Sequence, residues 1–260
     1  MLSRDAQQPQ RLVLMYHGTR PGQTRPESEY SISSARFVEQ LDLLRDLGWD
    51  TVRADELSNI PSDAPPSVAI TFDDGYRDNY EGAFLPLVER NMRATWYLVS
   101  AKIGDSADWL TAAPTGERAL MDMGQLKELA SAGMELGAHT RTHADLLTLD
   151  KAQLEDEVAG CKRELEDLLG SEVASFAYPF GRFDAASVAA CENAGYQSAC
   201  TTRPGLYHQS ESPLEVRRVT VFRDDTLGEF ARKLVFSSNH TAWADMARYA
   251  LARVKDRIRH

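Results

Sequence analysis

Two short segments of this chain carry residues whose types and spacing suit metal-assisted hydrolysis. The first is Thr71-Phe72-Asp73-Asp74-Gly75, directly after the apolar run Ser67–Ile70. Adjacent carboxylates raise each other's pKa, so a pair at a strand end calls for a compensating charge, and a divalent cation is the simplest. Gly75 permits the tight turn that would aim both side chains. Taken alone, Asp-Asp-Gly also reads as a turn capping a helix that starts near Asn79. The second segment is His139-Thr140-Arg141-Thr142-His143, which follows Met134–Ala138 and holds two of the chain's six histidines. Imidazoles four positions apart meet at one ion when the segment between them makes a helical turn. Taken alone, they also read as surface or capping histidines. Together the segments are more specific. Two imidazoles and one carboxylate make a catalytic zinc shell with an open position for water, and the second carboxylate is free to act as general base. A third segment, Phe176-Ala177-Tyr178-Pro179-Phe180-Gly181, would end a strand and expose a backbone amide, although a plain turn has the same pattern. The chain has no His-Glu-x-x-His, no Gly-rich phosphate loop and no Gly-x-Ser-x-Gly elbow.

These segments need a scaffold that brings distant strand ends together. The chain alternates short β-branched runs with amphipathic stretches. The patterning predicts strands over Arg11–Tyr16, Asp50–Arg53, Ser67–Phe72, Ala94–Val99, Met134–Ala138, Val173–Tyr178, Tyr196–Thr201 and Val216–Phe222. A helix over Ser33–Leu47 starts at a Ser cap, aligns Phe37, Leu41 and Leu44, and stops at Gly48. Another, over Asp150–Leu169, opens with Asp150 and Gln153 at capping-box spacing and ends at Gly170. Gly48, Gly133 and Gly195 mark joints between a helix and the next strand. This alternation gives an α/β fold: a distorted (β/α) barrel of about seven units, TIM-barrel-like, with an open doubly wound sheet as the runner-up. Both place chemistry at the C-terminal ends of strands, where all three segments fall.

With these elements in order, the chain resembles the polysaccharide deacetylases, carbohydrate esterase family four, from about Leu12 to Phe222. The resemblance rests on Thr-Phe-Asp-Asp-Gly, then His-Thr-x-x-His, then Tyr-Pro-Phe-Gly. It implies a divalent metal, usually zinc, sometimes cobalt, nickel or manganese. By position, Asp73 resembles the family's general base, and Asp74, His139 and His143 its metal ligands. Phe180 stands where the family offers an amide to the oxyanion, flanked by Tyr178 and Pro179. Two departures stand out. Ala177 occupies the position of the arginine that orients the base, so Arg217 or Arg218 becomes the candidate replacement. The late Leu-x-His motif is also missing. Leu14-Met15-Tyr16-His17 instead resembles the branch that de-N-acetylates poly-N-acetylglucosamine, which makes His17 the candidate acid.

The expected function is therefore a metal-dependent hydrolase that removes N-acetyl groups from an amino sugar or polysaccharide. A deformylase or deacetylase of a lipid- or nucleotide-linked sugar is the alternative within enzymes, and an inactive carbohydrate-binding module the alternative outside them. Residues 1–260 read as one catalytic domain, with a core at about 11–223 and an amphipathic helix at about 241–257 that reads as packed on the domain or, with its basic residues, as a peripheral membrane contact. A net charge of −10, from 39 acidic against 29 basic residues, argues against nucleic acid as a partner. Cys161, Cys191 and Cys200 match neither a zinc knuckle nor a disulfide framework and read as reduced core residues. Met1–Gln10 is polar, and Leu12–Tyr16 is too short for export or for spanning a membrane. A cytoplasmic location, with or without membrane association, follows if Met1 is the natural start.

Overall fold

The computed structural model describes residues 10–22, 25, 26, 28–61, 63–110 and 119–239. The amphipathic stretch at 241–257 lies outside them. None of the described helices is long and apolar enough to cross a membrane.

The chain runs β1 (Arg11–Tyr16), β2 (Thr19–Arg20), β3 (Ile32–Ser33), α1 (Ser34–Asp46), β4 (Asp50–Val52), β5 (Ser67–Phe72), α2 (Leu85–Glu89) and β6 (Thr95–Leu98). It continues through α3 (Met123–Ser131), β7 (Glu135–Ala138), α4 (Lys151–Glu155), α5 (Cys161–Leu169), β8 (Ser175–Ala177) and α6 (Ala185–Ala194). It then forms β9 (Ser198–Cys200), β10 (Val219–Thr220) and α7 (Leu227–Phe236). Eight of these strands make one parallel sheet in the order β10-β1-β5-β6-β7-β8-β9. The eighth, β4, pairs with the first half of β5, while β6 takes the second half of the same edge at Thr71 and Phe72.

Every residue of β1 and β5 is buried, as expected of parallel strands covered on both faces. Their period of two still sorts the side chains. Leu12, Leu14, Val68, Ile70 and Phe72 pack outward with Phe37, Leu41 and Leu44 of α1. Val13 and Ala69 point inward, into a smaller cluster with Tyr97, Ala177, Cys200 and Val216. Small inward residues leave the interior room for polar groups such as Arg218, which is fully buried.

The sheet curls into the distorted (β/α) barrel expected, rather than an open doubly wound sheet. The predicted strand Val216–Phe222 shrinks to β10 because its segment changes neighbours. Val216 exchanges hydrogen bonds with β9 (Val216 N to Ala199 O 2.8 Å, Thr201 N to Val216 O 2.8 Å). Thereafter Val219 and Thr220 pair with Leu14 and Met15 of β1. One segment thus links the two ends of the sheet path. The helix predicted over Asp150–Leu169 begins with the expected capping box but is interrupted by a π-helical turn at Asp156–Gly160. The two-residue strands β2 and β3 carry no periodic signal and are absent from the sequence reading. They pair in parallel beside β1 and bring the segment around Tyr30 over the strand ends.

Candidate active site

The aspartates sit one step beyond the β5 ladder. Asp73 N donates to Tyr16 O at 3.0 Å, after which Asp74 (φ 73°) and Gly75 (φ 75°) both adopt the left-handed conformation. That reversal separates the neighbouring carboxylates. Asp73 faces the barrel interior and accepts a two-pronged contact from Arg218, Nη1 to Oδ1 at 2.6 Å and Nη2 to Oδ2 at 2.8 Å. Arg218 is itself fixed, donating from Nε to Thr201 O at 2.9 Å and from Nη1 to Thr71 Oγ1 at 3.2 Å. Burial pushes the Asp73 carboxyl up. The charges of Arg218 and His139 and the hydrogen bonds from Arg218 outweigh it and hold the group below its ordinary range.

Asp74 meets the histidines. Its Oδ1 lies 3.1 Å from His143 Nε2 and 3.5 Å from His139 Nε2. One ligand atom from each of the three residues falls within 4.8 Å of the others, all buried. Burial again pushes the Asp74 carboxyl up, and His143, His17 and His139 draw it well below the usual carboxylate range. His139 Nδ1 lies 2.7 Å from Ala177 O, which leaves Nε2 as the nitrogen turned toward Asp74. Burial depresses His139 to about 4, so at neutral pH it is the uncharged imidazole that ligates metals. The donor set fits a divalent cation on this geometry. Asp74 Oδ1 is a buried anionic atom with no well-formed hydrogen bond among the described residues, and an imidazole nitrogen of each of two histidines is aimed at it.

The histidine spacing calls for a helical turn, but the segment is a loop. Thr140 (φ 66°) and His143 (φ 62°) are left-handed, and His143 N donates to Thr140 Oγ1 at 2.9 Å. Glu157, from the π-helical turn, holds this shape. Its carboxylate accepts from Arg141 N and Thr142 N, both at 2.9 Å, and from Thr142 Oγ1 at 2.6 Å. The extra residue in that turn is thus used to aim a side chain at a functional loop. Glu157→Ala is expected to weaken divalent-metal affinity by ~10- to 100-fold with the fold retained, as loss of a ligand-orienting contact does. Metal competition with a chromophoric chelator checks this, and unchanged affinity would count against Glu157 as the loop's anchor.

A pocket of about 500 Å³ opens over these groups at the strand ends. His17 reaches it from the end of β1, with its ring 5.3 Å from that of Tyr30. Phe180 lines the pocket with a left-handed backbone (φ 58°), and the residue is 55% exposed, enough to meet a ligand. Tyr178 also borders the pocket, but its ring is buried in the core and its hydroxyl is engaged, donating to Leu214 O at 3.0 Å. Pro179 and Arg217 stand elsewhere. Pro179 is buried and does not line the pocket, since the turn packs it inward. Arg217 points the other way along the strand and pairs with Glu211 at 3.1 Å, so it is Arg218 that contacts Asp73. The alternation of side chains along an extended segment makes adjacent arginines diverge. Glu157, Tyr76, Trp109, Tyr30 and Phe222 also surround the site and go unmarked in the sequence. None falls within a recognisable motif, and most stand on irregular connections.

A family model described as polysaccharide deacetylase matches residues 61–199, a span that includes Asp73, Asp74, His139 and His143. The chain is 30% identical over 213 residues to the Bacillus subtilis (strain 168) protein YxkH, which carries the name of a polysaccharide deacetylase, over 80% of this chain and 70% of that one. Among solved structures it is similar to BC0361, a polysaccharide deacetylase from Bacillus cereus, at TM-score 0.74 and 27% identity, over 87% of this chain and 69% of that one. Its fold is also similar to that of IcaB from Ammonifex degensii, at TM-score 0.74 and 24% identity, over 87% and 97% of the two chains. The match over more than half of its length, around a pocket that holds the family's Asp-Asp and His-x-x-x-His residues, places this chain in the polysaccharide deacetylase family.

Proposed function

We propose that the protein removes N-acetyl groups from an N-acetylated amino sugar or polysaccharide by metal-dependent amide hydrolysis. The observation that carries this reading is the convergence of Asp74, His139 and His143 within 4.8 Å, beside an Asp73 carboxylate held by Arg218. A divalent ion on these three ligands, with zinc the best match to two imidazoles and a carboxylate, supplies Lewis acidity toward the acyl carbonyl and a water. Asp73 stays ionised at neutral pH and takes the proton from the attacking water. The Phe180 amide donates to the oxygen that becomes negative. His17 gives a proton to the departing sugar nitrogen, which leaves as a free amine while the acyl group leaves as a carboxylate. The alternative of an inactive carbohydrate-binding module rested on Ala177 standing in place of an arginine. Arg218 reaches the Asp73 carboxylate from the segment before β10, which supports the catalytic reading.

The substrate class is tested with the zinc-loaded protein and a panel of N-acetyl and N-formyl amino sugars, free, polymeric and lipid-linked, followed by mass spectrometry. Loss of acetyl from the oligosaccharides, abolished by chelator, is the expected result. Release of formate alone, with acetyl substrates untouched, would move the assignment to a deformylase. His143→Ala is expected to strip the protein of bound metal, and full metal content by elemental analysis would remove His143 from the ligand set.

A further inference from the structure

The two imidazoles beside Asp74 are held in different ways. His139 has its second ring nitrogen against Ala177 O at 2.7 Å, the kind of contact that ordinarily fixes the tautomer and plane of a metal-binding histidine. His143 lacks that support: its Nδ1 is buried and has no partner among the described residues. Aromatic rings hold it instead. The Trp109 indole stacks on the His143 imidazole with centroids 4.3 Å apart and planes 13° apart, and Phe180 meets the same ring edge-on at 4.6 Å. Between them they leave His143 only 7% exposed.

Trp109 is braced in turn. It packs on a small cluster of Tyr76, Ala107 and Leu120. Tyr76 is 5% exposed and lines the same pocket as Asp74 and Trp109. The connection carrying Trp109 is pinned by Gly104 N to Met121 O and by Leu120 N to Asp105 O, both at 2.9 Å, and by the Lys102–Asp108 ion pair at 2.6 Å. Met121 N bonds Gly75 O at 2.9 Å, which joins the same connection to the Asp-Asp turn.

We propose that Trp109 is the positioning residue of His143, its indole fixing the imidazole plane in place of the hydrogen bond that Nδ1 lacks among the described residues. This rests on the reading of Asp74, His139 and His143 as metal ligands. The last torsion of a histidine side chain is broad, so a flat partner is needed to narrow it where no hydrogen bond does. Stacked geometry does this and keeps water from one face of the ring. A side chain of apolar bulk without a flat face fills the space but leaves the imidazole free to turn.

The test titrates Co2+ into metal-free wild type, Trp109→Leu and Trp109→Phe, following the d–d absorption bands, with Zn2+ affinity from competition with a chromophoric chelator. Trp109→Leu is expected to bind ~10- to 100-fold more weakly with an altered Co2+ spectrum, the size of effect seen when a ligand's orienting contact is lost. Trp109→Phe should recover most of the loss. Wild-type affinity and spectrum in Trp109→Leu, with only KM for substrate raised, would overturn the proposal and leave Trp109 a wall of the pocket. Equal weakening in Leu and Phe would also overturn it, since the ring plane would then not matter. A wild type with no Co2+ spectrum at all would instead overturn the metal reading on which the proposal stands.

Discussion

Asp73→Asn is expected to lower kcat by ~10²- to 10⁴-fold, the contribution of a positioned general base, while bound metal remains at its wild-type level. The reason lies in the division of labour between neighbouring carboxylates. Asp74 lies with the histidines, whereas Asp73 is turned the other way into the fork of Arg218. Asparagine has the same shape and one oxygen for that fork but cannot take a proton from water. It also leaves the fully buried Arg218 beside a neutral partner, so a lower melting temperature is expected alongside the kinetic loss. Turnover and metal content measured on the same preparation separate the possibilities. Wild-type kcat would remove Asp73 from the base role, and loss of metal would make it a ligand.

Arg218→Met is the second large effect. The guanidinium is what keeps a buried carboxylate ionised. Burial alone pushes Asp73 up, and the Arg218 charge is the first influence that brings it down. With Arg218 gone, Asp73 remains 3% exposed without its counter-charge. Stability is expected to fall by ~3–5 kcal/mol, the cost of breaking a buried pair from one side. The pH dependence follows in sign. A carboxyl whose folded pKa lies below its unfolded value stabilises the protein above the unfolded pKa, and this contribution is lost as pH falls through the folded value. In Arg218→Met the folded pKa rises, so the stabilisation disappears and the acid limb of kcat/KM moves to higher pH. Denaturant unfolding and a pH–rate profile check both parts. An unshifted acid limb would mean that the Asp73–Arg218 contact does not set the base.

What could be read from the sequence and what could not divide along physical lines. β1 and β5 match their predicted bounds because they are mostly apolar, as strands buried on both faces must be. The α1 helix is legible because Ser33 caps it and Gly48 follows with φ 73°. The placement of Asp73 and Asp74 at the C-terminal end of β5, and of His139 and His143 at that of β7 across β6, followed from local motifs combined with a general rule of parallel sheets. Three-dimensional substitutions were harder to see. The arginine absent at position 177 returns at 218, 41 positions later, and the choice between Arg217 and Arg218 required the register of a segment that switches from β9 to β1. The π-helical turn that delivers Glu157 sits inside an ordinary helical pattern, because one extra residue in a turn leaves the apolar stripe nearly intact. Trp109 and Tyr30 stand on connections whose shape is set by tertiary contacts rather than by periodicity.

The most direct test of the central claim is acetate release from an N-acetylated amino-sugar oligosaccharide, measured as zinc is returned stepwise to chelator-stripped protein. Activity should be absent in the stripped protein, rise in proportion to added metal and level off at one equivalent per chain, with no rise in His143→Ala. Full deacetylation by the stripped wild-type protein would contradict the account.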